Sequence, residues 1–179
     1  MKQLLRLMLS VILYGEIPEA LRRTQRRTKE LSDYTEDDVR AMPANSPLFA
    51  AIAMYHVNGD IAAVAAERIR DEARIRILAL TQEAQVLARI VATRRMQFDQ
   101  GLMVELAIRD DHPALAVFAA NLVRAQPHIG NLQKSKYEAV RHIGLLKERD
   151  PRAIEKLLND PSPKIRDTAR TLLRERRAN

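Results

Sequence analysis

Two stretches of the chain, fifty positions apart, carry the same pattern, and this limits the possible folds more than any other feature of the sequence. Residues 150–173 read DPRAIEKLLNDPSPKIRDTARTLL. Ile154, Leu157 and Leu158 share one face of a first short helix. The turn Asn159-Asp160-Pro161-Ser162-Pro163 brings capping side chains and a proline that cannot continue that helix. Ile165, Ala169, Leu172 and Leu173 then form the apolar stripe of a second helix. Residues 101–123 align with this unit without a gap. Val104 falls on Ile154, Ala107 on Leu157, Ile108 on Leu158, Asp110 on Asp160, Pro113 on Pro163, Leu115 on Ile165, Ala119 on Ala169 and Leu122 on Leu172. Self-similarity at a fixed period marks units that bury their faces against one another, as in a solenoid.

The pattern of Asp160, Pro163, Ile165-Arg166, Ala169 and Leu172 resembles a HEAT repeat. The resemblance covers residues 150–173 and extends to 101–123, where Ala116 stands in place of the usual arginine. It implies a fold and a mode of use, a stack of helices that grips a partner, and no reaction. Ser135–Arg149 reads as a further helix between the two copies, so the 50-residue period holds three helices, a layout nearer an armadillo-like unit. We therefore expect an all-α, HEAT/armadillo-like right-handed α-solenoid over residues 1–179. Capping helices would occupy 1–58, a long spine helix 60–97 and HEAT-like repeats 101–179.

Composition agrees with helices. Five glycines, 4% aromatics, no tryptophan and few β-branched runs argue against a sheet protein. The chain has no cysteine, which removes disulfides, thiol nucleophiles and cysteine-based zinc sites and suits a reducing, cytoplasmic setting. The net charge of +7 is unevenly spread, +1 over residues 1–130 and +6 over residues 131–179. An excess of that kind is compatible with a polyanion or an acidic partner, or with a solvated arginine-rich surface.

Residues 3–14, QLLRLMLSVILY, are apolar on nearly every side but shorter than the roughly 20 residues a bilayer span needs. We expect a helix buried against the solenoid or in a partner, with no membrane span; the alternative is a membrane or export role, since the segment after Lys2 resembles a signal-peptide core. The next helix, 17–31, sets Ile17, Leu21 and Leu31 on one face and Arg22, Arg23, Arg26, Arg27 and Lys29 on the other. Such a run can neutralise several phosphates or meet an acidic protein. Residues 32–47 form the clearest linker, with Thr35 placed to cap a short helix. Residues 60–97 contain neither glycine nor proline and read as one long helix, or two meeting near Leu80-Thr81. Two apolar stripes on it suggest cover on both sides, which allows a homodimer through this helix.

Catalytic chemistry leaves little trace. None of the four histidines stands three or four residues from another, so no helical metal pair is predicted. Asp110-Asp111-His112 matches the turn of the other copy and reads as structural. Some HEAT-like solenoids are DNA-repair glycosylases, and the resemblance there implies tryptophans in a cleft, which this chain lacks. No cofactor, metal or catalytic residue is therefore expected. On the last helix Arg166, Arg170, Arg174 and Arg177 share one sector. In HEAT repeats an arginine placed like Arg166 pairs with a neighbouring aspartate, so the candidate binding residues here are Arg170, Arg174 and Arg177. The expected function is a non-enzymatic module that recognises a protein partner. The alternative is a nucleic-acid-binding protein using its basic helical faces.

Overall fold

The structure, a computed structural model, describes residues 30–178. The apolar segment 3–14 and the basic residues Arg22, Arg23, Arg26, Arg27 and Lys29 lie outside the described residues. Every regular element among the described residues is helical, as the composition predicts. The helices are α1 (Glu36–Ala41), α2 (Leu48–Tyr55), α3 (Gly59–Arg68), α4 (Glu72–Leu80), α5 (Val86–Arg95) and α6 (Gln100–Arg109). They continue as α7 (Pro113–Leu122), α8 (Gln126–Ile129), α9 (Glu138–Lys147), α10 (Pro151–Lys156) and α11 (Pro163–Ala178). Short 3-10 turns occupy Leu31–Asp33, Gly130–Lys134 and Leu157–Asn159. No helix among the described residues is long and apolar enough to cross a membrane.

The chain alternates between two rows. Helices α1, α3, α5, α7, α9 and α11 pack each on the next. The second row flanks the first: α2 lies on α3, α4 on α5, α6 on α7, the turn Gly130–Lys134 on α9, and α10 on α11. Polar side chains start many of these helices by accepting the amides that a first turn leaves unpaired. Thr35 does so for α1, Asn58 for α3, Asp71 for α4, Asp99 for α6 and Asp150 for α10.

The single spine helix expected over 60–97 is not present. That stretch folds into α3, α4 and α5. The first break follows Ile69, where the backbone turns extended and the Asp71 carboxylate takes the amides of Ala73 and Arg74. The second follows Leu80, where the Thr81 hydroxyl donates to the Ile77 carbonyl and competes with the helical ladder. The apolar positions of this stretch do not share one inward face: Ile75, Leu78 and Ala79 of α4 are buried, whereas Ile77, Leu80 and Leu87 are exposed. A homodimer through a long two-faced helix accordingly loses its premise.

The 50-residue period is corrected as well. Residues 101–123 and 151–173 both form a helix, a capped turn and a helix, but a third unit lies between them. In it α8 and the turn Gly130–Lys134 occupy the place of α6 and α10, and α9 the place of α7 and α11. The repeat is thus about 25 residues with two helices. Pro127, Gly130 and Asn131, residue types that usually interrupt helices, sit inside a short, tight version of the first helix. Equivalent core positions then line up along the odd-numbered row. Ala88, Leu115, Val140 and Ile165 are buried, as are Ala65, Ala92, Ala119, Gly144 and Ala169.

The second of these sets is uniformly small because two helices meet over it. At Gly144 a Cβ would lie 2.8 Å from the Leu132 Cβ, an atom bonded to the backbone with no freedom to swing away. We expect Gly144→Ala to cost about 1–3 kcal/mol from overpacking, although alanine is the better helix former. Thermal denaturation checks this. A variant as stable as the parent would mean that the turn Gly130–Lys134 moves aside freely.

Candidate functional site

Two edges of the stack differ in what they do with charge. At one edge the even-numbered helices pass into the odd-numbered ones through polar turn residues: His56, Asp110, Ser135 and Asp160, all buried. Asp110 accepts the His112 amide at 2.8 Å, Ser135 the Tyr137 amide at 3.3 Å and Asp160 the Ser162 amide at 2.8 Å. Arg89 of α5 reaches across to Asp110, and Arg141 of α9 to Asp160. Asp111 pairs with Lys136. The Asp110-Asp111-His112 cluster is therefore dispersed into capping and ion pairs. Burial pushes the Asp160 carboxyl up, but the Arg141 and Ser162 hydrogen bonds and the charges of Arg141 and Arg166 outweigh it, and its pKa falls. On this edge the cations and carboxylates cancel in pairs. It also exposes four large apolar side chains, Tyr55, Val57, Leu80 and Leu87.

At the opposite edge each odd-numbered helix ends and the chain turns into the next unit. The repeat places two basic positions there. The first holds Arg68, Arg95 and Lys147, with Arg176 one turn further along α11. Each donates to the last carbonyls of the preceding odd-numbered helix. Arg68 reaches Arg40 at 2.6 Å and Met42 at 2.8 Å, and Arg95 reaches Ala66 at 2.9 Å and Glu67 at 3.2 Å. Lys147 bonds the carbonyls of Ala120, Asn121 and Val123 at 2.7–2.9 Å, and Arg176 those of Glu148 and Arg149. Helix C-termini carry unpaired carbonyls and a partial negative charge, so a cation is the natural stopper. Where the position is Leu122, Gln100 replaces it, donating to Gln97 and Leu122 and accepting the amides of Arg124 and Ala125. These groups are used internally.

The second position lies two residues on and holds Arg70, Gln97, Arg124, Arg149 and Arg174. All four arginines are exposed, and none forms an ion pair among the described residues. Arg124 and Arg149 share one open cleft of about 550 Å³ with Lys147, Glu148, Arg176 and the exposed Leu146. Burial lowers the Lys147 pKa, and the charge of Arg124 lowers it further. Glu148, the acid of that cleft, is buried and accepts the amides of Arg149 and Asp150 at 2.8 and 3.0 Å. Several carboxylates along this edge are engaged in starting helices, while Glu67, Glu72 and Glu175 are exposed and form no ion pair among the described residues. Asp71 and Asp150 cap α4 and α10, while Asp99 caps α6 and pairs with Arg76. The Leu102 amide does most to hold the Asp99 carboxyl below the usual range, and Arg76 helps against the opposing effect of burial. The row Arg70, Arg124, Arg149 and Arg174 has no ion pair among the described residues.

The arginines named from the last helix divide. Arg170 pairs with Asp167 at 2.6 Å, and Arg177 lies 3.8 Å from Glu155. Arg174, exposed within α11, shares the repeat register of the row and has no ion pair among the described residues. Arg166 donates to the carbonyls of Asp160 and Pro161 at 2.7 and 2.9 Å rather than to a neighbouring carboxylate. Arg70, Arg124 and Arg149 were not singled out from sequence. The spacing of Arg124, Arg149 and Arg174 at 25 and 25 residues marks them once the repeat length is known. Comparison of the chain with protein-family models, with curated proteins and with solved structures finds no match.

Proposed function

We propose that the chain is a HEAT/armadillo-like right-handed α-solenoid acting as a non-enzymatic binding module, and that its arginine edge takes the backbone of a nucleic acid. The observation that carries this reading is the row Arg70, Arg124, Arg149 and Arg174, an exposed cation at the same repeat position in four of five units, none with an ion pair among the described residues. Packed helices lie about 8–10 Å apart, so such a row offers cations at a regular, modest spacing. A phosphate backbone offers charge at closer and equally regular spacing, and neutralising it releases counterions. The residues Arg22, Arg23, Arg26, Arg27 and Lys29 would add to the same term.

A protein partner is the second reading. It is favoured by the exposed apolar group Tyr55, Val57, Leu80 and Leu87 on the opposite edge, where charges cancel.

The test is a fluorescence-anisotropy titration with single-stranded and duplex oligonucleotides at about 50 and 200 mM salt. Binding should weaken steeply with salt. In the triple variant Arg124→Gln, Arg149→Gln, Arg174→Gln the slope of log K against log salt should fall by about 2–3, close to one per lost phosphate contact. No binding at the lower salt, or an unchanged slope in the variant, would overturn the nucleic-acid reading and leave the protein partner.

A further inference from the structure

The arginine row has one gap, and the residue beside the gap is the most exposed large apolar side chain among the described residues. Gln97 occupies the row position in the unit of α5, and Phe98 follows it, 87% exposed. The next most exposed is Val57 at 73%. A phenylalanine in water forgoes burial of the 150–250 Å² that an aromatic side chain usually hides. A lone exposed aromatic is unremarkable by itself. Here its surroundings and its rigidity matter.

The turn that carries Phe98 is tied down from both sides. The Met96 amide bonds the carbonyls of Ala92 and Thr93, both at 3.1 Å. The Gln97 amide bonds Arg94 at 3.3 Å, and the Asp99 amide bonds Met96 at 2.9 Å. Met96 packs against the core, and Asp99 is fixed by the Leu102 amide and by Arg76. Phe98 stands between two anchored residues and faces solvent. Around it the cations are open. Arg94 lies one turn back on α5, exposed and without an ion pair among the described residues. Arg70 holds the row position one unit before and Arg124 one unit after. The nearest acid in sequence, Asp99, is already matched by Arg76 and by an amide.

We propose that Phe98 is a base-stacking platform set into this edge, and that the ligand of the edge is a single-stranded nucleic acid. The inference rests on the nucleic-acid reading above and narrows it. Cations on either side hold the phosphates, and the uncharged step between them receives a base on an aromatic face. Groove-plus-aromatic is the arrangement that suits single strands, whose bases are free to stack on protein, whereas a duplex keeps its bases stacked on each other. Because every base has a π-face, the platform tolerates any sequence.

Four proteins decide it: the parent, Phe98→Ala, Phe98→Trp and the triple arginine variant. The near-complete exposure of Phe98 leaves folding unaffected by its removal. Phe98→Ala should weaken binding of a single-stranded oligonucleotide by about 5- to 150-fold, the range found for loss of one stacked base. Its duplex affinity and its salt slope should stay as in the parent. An abasic strand of equal length should bind parent and Phe98→Ala alike. In Phe98→Trp, the sole tryptophan of the chain should be quenched by the single strand and not by the abasic one. If Phe98→Ala binds the single strand as the parent does while the triple arginine variant loses affinity, the stacking platform is overturned and the nucleic-acid reading stands. If neither variant loses affinity, both fall.

Discussion

Replacing Arg89 with alanine will destabilise the protein by about 3–5 kcal/mol, a large share of the 5–15 kcal/mol that typically holds a domain together. The Arg89 and Asp110 side chains are each only 3% exposed. Arg89 spends its donors on Asp110 and, at 2.9 and 3.1 Å, on the Ala79 carbonyl that ends α4. Without it the Asp110 carboxylate is buried with only the His112 amide to answer it. The pair as a whole is another matter, since two buried charges gain from each other roughly what their dehydration costs. The chain contains its own control. The next unit has Ala116 in the arginine position and Ser135 in the aspartate position, both buried, and Ser135 still caps its turn and donates to the Ala107 carbonyl at 3.0 Å. The double variant Arg89→Ala, Asp110→Ser copies that rung. It should be more stable than Arg89→Ala alone, with a coupling on the order of 2 kcal/mol in a double-mutant cycle followed by urea denaturation. Additive losses would show that the rung is held by packing and not by charge.

The second large effect falls on Arg141 and Asp160. Asp160→Asn keeps a cap for the Ser162 amide but leaves Arg141, 11% exposed, facing a neutral group. A loss of about 3 kcal/mol at neutral pH is expected. The pH dependence follows from the lowered pKa of Asp160. A carboxyl that ionises more readily when folded than when unfolded stabilises the fold fully above its unfolded pKa, about 3.9, and loses that contribution as pH falls through the folded value. The gap between parent and variant should therefore be widest at neutral pH and close below about pH 4. Urea unfolding at pH 7 and pH 3 measures it. An equal gap at both would mean that Asp160 holds Arg141 no better ionised than neutral.

Much of the local structure was legible because it depends on neighbours in sequence. Thr35, placed to cap a short helix, does so with the reciprocal bond from its own amide to Asp38. The turn at Asp160, with its proline three positions on, has the predicted form. The site was less legible. Arg174 was named, but Arg170 meets Asp167 three residues away on the same helix, Arg177 meets Glu155, which only folding brings near, and Arg176 is drawn into the end of α9. Nothing near Arg124 or Arg149 in sequence distinguishes them from any other surface arginine. Their meaning lies in recurrence across units, and Pro127 and Gly130 hide the middle unit.

By itself the sequence determined that this chain is helical and where most of its turns fall, because propensity and capping act over four or five residues, but not which face of every helix goes inward, since Ile77, Leu80, Leu87 and Leu146 are exposed. Only the tertiary structure decided that residues 60–97 are three helices, that the unit is 25 residues long, and which arginines keep a free charge. The length of the unit and the fate of each charge turn on contacts between residues 20 to 30 positions apart, such as Arg89 with Asp110 and Lys147 with Ala120, whereas Asp71 and Thr81 make the breaks within 60–97 through bonds to near neighbours in sequence. A periodic stripe looks the same whether the helix runs on or folds back, and a charge is free or spent according to what the next unit brings beside it.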